Sequence, residues 1–210
     1  MADIPPDAQA GILAGGPPTM PAPPPPDAAP DAPAPLAAIT RTAPMGMITL
    51  RGAADDPAVA AALQAAAGLA VPGQRRIAAE GARSVAWMSP DEFLLMLPPD
   101  GVAAALEAGR QAAGDGFVTL ADVSAARIAF RIHGPRADEV VMKLCPVDIA
   151  RLPKGEIRRT RAAQIACALW RSGEGGITLL CFRSVANHAQ ALLENAARPG
   201  SAVFPEPSES

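Results

Sequence analysis

The chain has 210 residues, a formal net charge of -3, a sequence pI near 5.4 and only 3% aromatic residues, with no tyrosine. That balance supplies neither the basic face that replaces phosphate counterions nor the rings on which single-stranded bases stack, so nucleic acid is excluded as a favoured partner. No apolar run approaches the roughly 20 residues of a membrane-spanning helix. The three cysteines lack CxxC spacing, which fits reduced thiols and a cytoplasmic setting with no membrane partner.

Of the 24 prolines, 13 precede Met45, and no lysine or arginine appears before Arg41. Such a segment favours polyproline II and offers too little apolar surface to offset its ordering entropy, so residues 1–44 are expected to be a disordered spacer. Its opening, MADIPPDAQAGILAGG, has no basic region ahead of an apolar run and does not read as a secretory signal. A single folded body is expected over 45–198, with a second disordered tail over 199–210.

Within the body, MITLR (47–51) predicts a strand. Asp56-Pro57 then predicts the cap and first turn of a helix bearing Val59 and Leu63, stopped at Gly68. Ser84–Met88 and Phe93–Leu97 predict strands joined by the turn Ser89-Pro90-Asp91. Asp100 is the expected cap of a helix with Val102, Leu106 and Gly109 on one stripe, and Phe117–Val123 predicts the strand that closes the first half.

The second half repeats the pattern. Arg127–Ile132 predicts a strand, Gly134-Pro135 a helix start, and Cys145-Pro146 its end. Two strands follow, Gln164–Trp170 and Ile177–Phe182, around the turn SGEGG, then a helix aligning Val185, Ala189, Leu192, Leu193 and Ala196. Gly52 and Gly134 stand 82 positions apart, and Trp87 and Trp170 stand 83 apart, as a duplication requires. The fold class expected is α+β, ferredoxin-like in two layers, with two pseudo-repeated strand-helix-strand-strand-helix halves.

Chemistry is sparse. His133 and His188 have no nearby residues to orient them as catalytic bases, and GxSxG, HExxH and GxGxxG are all absent. Cys145, Cys167 and Cys181 are spaced 22 and 14 positions apart without adjacent histidines, so no zinc site is expected. They read as small core residues, with pairing of Cys167 and Cys181 under oxidation as the alternative. The turn at Gly173–Gly176 joins two strands and carries Glu174, unlike a phosphate cradle at a helix start. The densest charge cluster, Lys154 to Arg161, reads either as a solvated loop or, through Arg158, Arg159 and Arg161, as a docking surface for an acidic partner.

Two stretches say more: WMSPDEFLLMLPP (87–99) and ADVSAARIAFRIHGPRADEVVMKLCPVDI (121–149). With MITLRG, AQIACALWR and ITLLCFRSVANHAQALL, they resemble the gamma subunit of heterotetrameric sarcosine oxidase over Pro44 to Ala197. That subunit in turn is similar to the first part of the glycine-cleavage T-protein and its folate-binding relatives. The resemblance implies an accessory subunit with alpha, beta and delta partners, in a complex that oxidatively demethylates sarcosine to glycine and forms hydrogen peroxide and methylene-tetrahydrofolate. It also implies that FAD, FMN, NAD, zinc and tetrahydrofolate belong to the other subunits. In the folate enzymes an acidic residue follows the basic loop, whereas 157–173 here has no Asp or Glu. No catalytic, cofactor or metal residue is therefore expected in this chain. The alternatives are a free-standing folate-binding protein or aminomethyltransferase-like enzyme, and a scaffold for an oxidase of another methylamine.

Overall fold

The computed structural model describes residues 34–173 and 175–203 of the protein. Ten strands and four helices lie among them, beginning with β1 (Ala38–Arg41) and β2 (Gly46–Arg51). Helix α1 (Pro57–Ala67) starts where expected: Asp56 accepts a 2.8 Å hydrogen bond from the Ala58 N–H, and Pro57 needs no donor at that position. Gly68 ends it at φ 74°, its N–H returning to the Gln64 carbonyl. Removing the cap through Asp56→Ala is expected to cost about 1 kcal/mol. A melting temperature within 1 °C of wild type would mean that this helix start is held by packing alone, since ~2–4 °C is expected.

Strands β3 (Ile77–Glu80), β4 (Arg83–Ser89) and β5 (Glu92–Leu97) follow, then α2 (Val102–Ala113) and β6 (Thr119–Asp122). The expected cap at Asp100 is replaced by a 3-10 turn, Pro99–Gly101, after which α2 starts with no side-chain cap. Two prolines in succession fix that tight entry by themselves. The strand expected over 117–123 is shorter at its start, because Phe117 is turned out to solvent. The second half runs β7 (Arg127–His133), α3 (Ala137–Leu144), β8 (Ile157–Ala162), β9 (Ile165–Arg171), β10 (Ile177–Phe182) and α4 (Ala186–Ala196).

The sheets have the same internal order. One is β3-β4-β5-β2-β6 and the other is β8-β9-β10-β7-β1, all antiparallel. Val85 faces Leu95 in the first as Leu169 faces Leu179 in the second, and Trp87 and Trp170 occupy β4 and β9. The duplication is therefore structural, and the sheets hold strands the sequence pattern did not suggest: β3 in the first, β8 and β1 in the second.

The layers number four instead of the expected two. Helices α1 and α2 cover the outer face of the first sheet through Val59, Leu63, Phe93 and Leu95, and α3 and α4 cover the second through Val140, Leu193, Phe130 and Leu169. The inner faces meet through Met47, Ala86, Leu94, Met96, Ile157, Ala168 and Leu180. Both faces of β5 are thus covered, which explains why all six residues of EFLLML are buried. Helices α1 and α2 approach closely because Gly109 has no side chain; a Cβ there would lie 2.6 Å from Leu120.

The expected spacer over 1–44 is corrected for residues 34–44. Leu36 and Ala37 are buried, and β1 pairs with β7 from Ala38 opposite His133 to Arg41 opposite Phe130. The physical reason is that Pro35 and Pro44 bracket an eight-residue gap free of proline, in which LAAITRTA offers its N–H groups to the open edge of β7. The rest of that spacer, residues 1–33, lies outside the described residues. At the other end, residues 199–203 continue the body, because Lys143 donates to the Ser201 carbonyl at 2.6 Å and the Val203 N–H donates to Glu139 at 2.6 Å. Residues 204–210 of the expected second tail also lie outside the described residues.

Candidate functional site

The basic stretch is a strand. In β8 the side chains alternate: Ile157 enters the layer between the sheets, and Arg159 and Arg161 follow it, while Arg158 and Ala162 turn to the opposite face. Arg158 is paired with Glu156, whose carboxylate also faces Arg75 at 3.8 Å. Arg161 is exposed. The three arginines of the expected docking loop therefore have different surroundings.

Arg159 reaches Glu92, which the sequence reading had not marked. Glu92 begins β5, is buried, and accepts from three guanidiniums on three strands: Arg51 of β2 at 3.3 Å, Arg127 of β7 at 3.1 Å and Arg159 at 3.3 Å. Arg159 also donates to the Met88 carbonyl at 3.4 Å, and Arg51 pairs with Asp91 at 3.1 Å. Arg51 and Glu92 belong to one sheet, Arg127 and Arg159 to the other, so the cluster closes one end of the inter-sheet layer. Burial draws the Arg127 guanidinium below its usual value, with Glu92 pulling the other way. Its Nε–H is buried with no acceptor among the described residues. The sequence signal for this cluster was slight: a carboxylate opening an otherwise apolar run, DEFLLML, and an arginine opening RIAFRIH.

The remaining candidates are dispersed. His133 ends β7 and His188 lies in α4, and both are exposed. The three cysteines are reduced and buried in the core beneath α3 and α4, with Cys167 directly opposite Cys181 across β9 and β10. A hydrogen bond with Cys145 and burial push the Cys167 thiol up, and burial pushes Cys181 up, so both stay protonated at neutral pH. The Ser172 backbone N–H donates to the Gly176 carbonyl at 2.9 Å, which closes a hairpin between β9 and β10. Among the described residues no group of three or more His, Cys, Asp or Glu is placed to hold a metal ion, and no helix is long and apolar enough to cross a membrane.

A second buried carboxylate, Glu139 of α3, holds the C-terminal residues. Burial alone would raise its pKa, but hydrogen bonds from the Val203 N–H, Arg136 and Lys143 outweigh it and leave it below its ordinary value. A depressed carboxylate stabilises the fold above its unfolded-state pKa, and that contribution disappears as pH falls through the folded-state value. Glu139→Gln should therefore lose less stability than wild type between about pH 5 and pH 3. Parallel acid limbs in denaturant unfolding would show that Glu139 is not a source of acid sensitivity.

At the opposite end of the inter-sheet layer a cleft of about 510 Å3 opens, with Met45, Met96, Arg131, Trp170 and Thr178 in its walls.

Two antiparallel sheets with the same strand order, each carrying two helices, define a T-protein-like fold. The aminomethyltransferase T of the glycine cleavage system from Bartonella henselae shares it, with TM-score 0.57, 18% identity, and coverage of 77% of this chain and 46% of that one. The heterotetrameric sarcosine oxidase of Corynebacterium sp. U-96, solved with pyrrole 2-carboxylate, includes a chain that matches at TM-score 0.72 and 29% identity. That match covers 80% of this chain and 87% of that one. Residues 51–198 match the model of the sarcosine oxidase, gamma subunit family, and the chain belongs to that family. The sarcosine oxidase subunit gamma of Arthrobacter sp is 38% identical over 136 residues, 62% of this chain and 63% of that protein. That of Corynebacterium sp. strain P-1 is 35% identical over 132 residues, 61% and 64% respectively. The chain thus spans somewhat less than two thirds of these relatives.

Proposed function

We propose that the chain is the accessory, non-catalytic gamma subunit of a cytoplasmic heterotetrameric sarcosine oxidase. On this reading its partners are alpha, beta and delta subunits that carry FAD, FMN, NAD, zinc and tetrahydrofolate, and the complex converts sarcosine to glycine with formation of hydrogen peroxide and methylene-tetrahydrofolate. The observation that carries the reading is family membership over residues 51–198 in a chain whose inner-face carboxylate, Glu92, is already held by three guanidiniums. A carboxylate so held is a poor general base, since its lone pairs are already engaged by three guanidiniums and none is left to face a substrate proton.

The test is turnover by the assembled complex. His133→Ala, His188→Ala and Cys→Ser changes at the three thiols should leave sarcosine-dependent peroxide formation within a few-fold of wild type. A thousand-fold loss with intact assembly, equivalent to about 4 kcal/mol of transition-state stabilisation, would overturn the non-catalytic reading.

One observation favours a second reading, folate binding by the chain alone: the cleft beside Trp170 is of ligand size and largely apolar. Titration of the isolated chain with tetrahydrofolate separates the two readings. Micromolar affinity that is abolished by Trp170→Ala would favour the second.

A further inference from the structure

At the Glu92 end of the sandwich the second sheet runs past the first. Its outermost row facing the first sheet begins with Arg127 opposite Phe182 and ends with Ala166 opposite Arg161. Cys181 pairs with Cys167 one residue further in, which brings Phe182 alongside Ala166. On a face that elsewhere is core, Phe182 is 50% exposed and Ala166 and Arg161 are open to solvent. The Arg127 guanidinium lies 5.3 Å from the centre of the Phe182 ring. Between Arg127, Arg159, Ala166 and Phe182 is a notch of about 40 Å3, which is room for a few water-sized groups and so for a carboxylate.

Charge at this end is one-sided. Arg51, Arg127 and Arg159 share Glu92, Arg51 alone also pairs with Asp91, and Arg161 has no ion-pair partner among the described residues. Donors exceed acceptors, and the buried Arg127 Nε–H has none. Lysines would suit a merely solvated rim; arginine and phenylalanine side by side are the composition of interface cores.

We propose that this overhang is the docking surface for an acidic segment of a partner subunit. A partner carboxylate enters the notch between Arg127 and Arg159 and pairs with Arg161, and an apolar neighbour on the same segment covers Phe182 and Ala166. The proposal rests on the accessory-subunit reading above and assigns its contact to one face: Arg159 and Arg161 belong to it, whereas Arg158 is engaged with Glu156 on the other side of the strand. Guanidinium and carboxylate meet in a bidentate fork, so the match is one of geometry as well as charge.

The experiment produces the full chain with its companion subunits as wild type, Arg161→Glu, Phe182→Ser and the double variant. Arg151→Glu, a reversal at an exposed position outside the overhang, serves as control. Each single variant should weaken association about tenfold, the Arg161→Glu loss being larger at low salt, with circular dichroism and melting of the free chain unchanged. The control should assemble like wild type. Wild-type association with both singles equally tight would overturn the docking surface and leave the subunit reading standing. Failure of the wild type to associate with any companion would overturn both. Weakening by Phe182→Ser with none by Arg161→Glu would overturn the acidic occupant. If the double variant misfolds, the singles alone decide.

Discussion

Glu92→Ala is expected to lose about 3–5 kcal/mol of stability, because it leaves the largely buried Arg127 charge with no carboxylate partner among the described residues. The exposed partners contribute little to that figure: Arg51 and Arg159 are about half exposed and can turn to water. A paired replacement distinguishes the buried charge from the packing. Glu92→Leu combined with Arg127→Met removes the ion pair while keeping its volume, and should restore most of the loss. Urea unfolding at neutral pH measures all three proteins. A loss under about 1 kcal/mol for Glu92→Ala would place the cluster among ordinary surface pairs.

The second large effect concerns the first strand. A chain beginning at residue 44 is expected to melt on the order of 10 °C below one beginning at residue 34. The ten residues that separate them bury Leu36 and Ala37, fill the open edge of β7, and carry Arg41, which donates to Gln190 at 2.6 Å and Asn187 at 2.7 Å on α4. Leu36 alone supplies roughly 1.5–3 kcal/mol, and each ladder hydrogen bond about 0.5–1.5 kcal/mol. Their removal also leaves β7 as an unprotected edge, so concentration-dependent association should accompany the loss. Equal melting temperatures would return residues 34–43 to the spacer that their proline-rich surroundings suggested.

Local rules carried much of the fold. Asp56-Pro57 with Gly68, Gly134-Pro135 and Cys145-Pro146 fixed helix ends because each acts within one turn of backbone, without help from the rest of the chain. The paired glycines and tryptophans disclosed the duplication for the same reason, since equivalent positions in β4 and β9 meet equivalent demands. The stretches WMSPDEFLLMLPP and ADVSAARIAFRIHGPRADEVVMKLCPVDI carried the resemblance to the gamma subunit family, and the match over 51–198 established membership.

Pairing across distance decided the rest. Short strands such as AITR, IAAE and IRRTRA have no signature of their own; each exists because a neighbour offers an edge, and three arginines in six residues read as a loop until Ile165 to Trp170 pairs beside them. Glu92 and Arg159 lie 67 positions apart, so nothing local could join them. Only the stacking of the two sheets makes one carboxylate the common partner of three arginines, and only the overhang of the second sheet sets Arg161 and Phe182 on one exposed face. Sequence by itself settled the helices, the longer strands and the resemblance to the family, through interactions of short range; tertiary structure settled the short edge strands, which charges meet and which surface stays open, because those depend on pairing and register across distance.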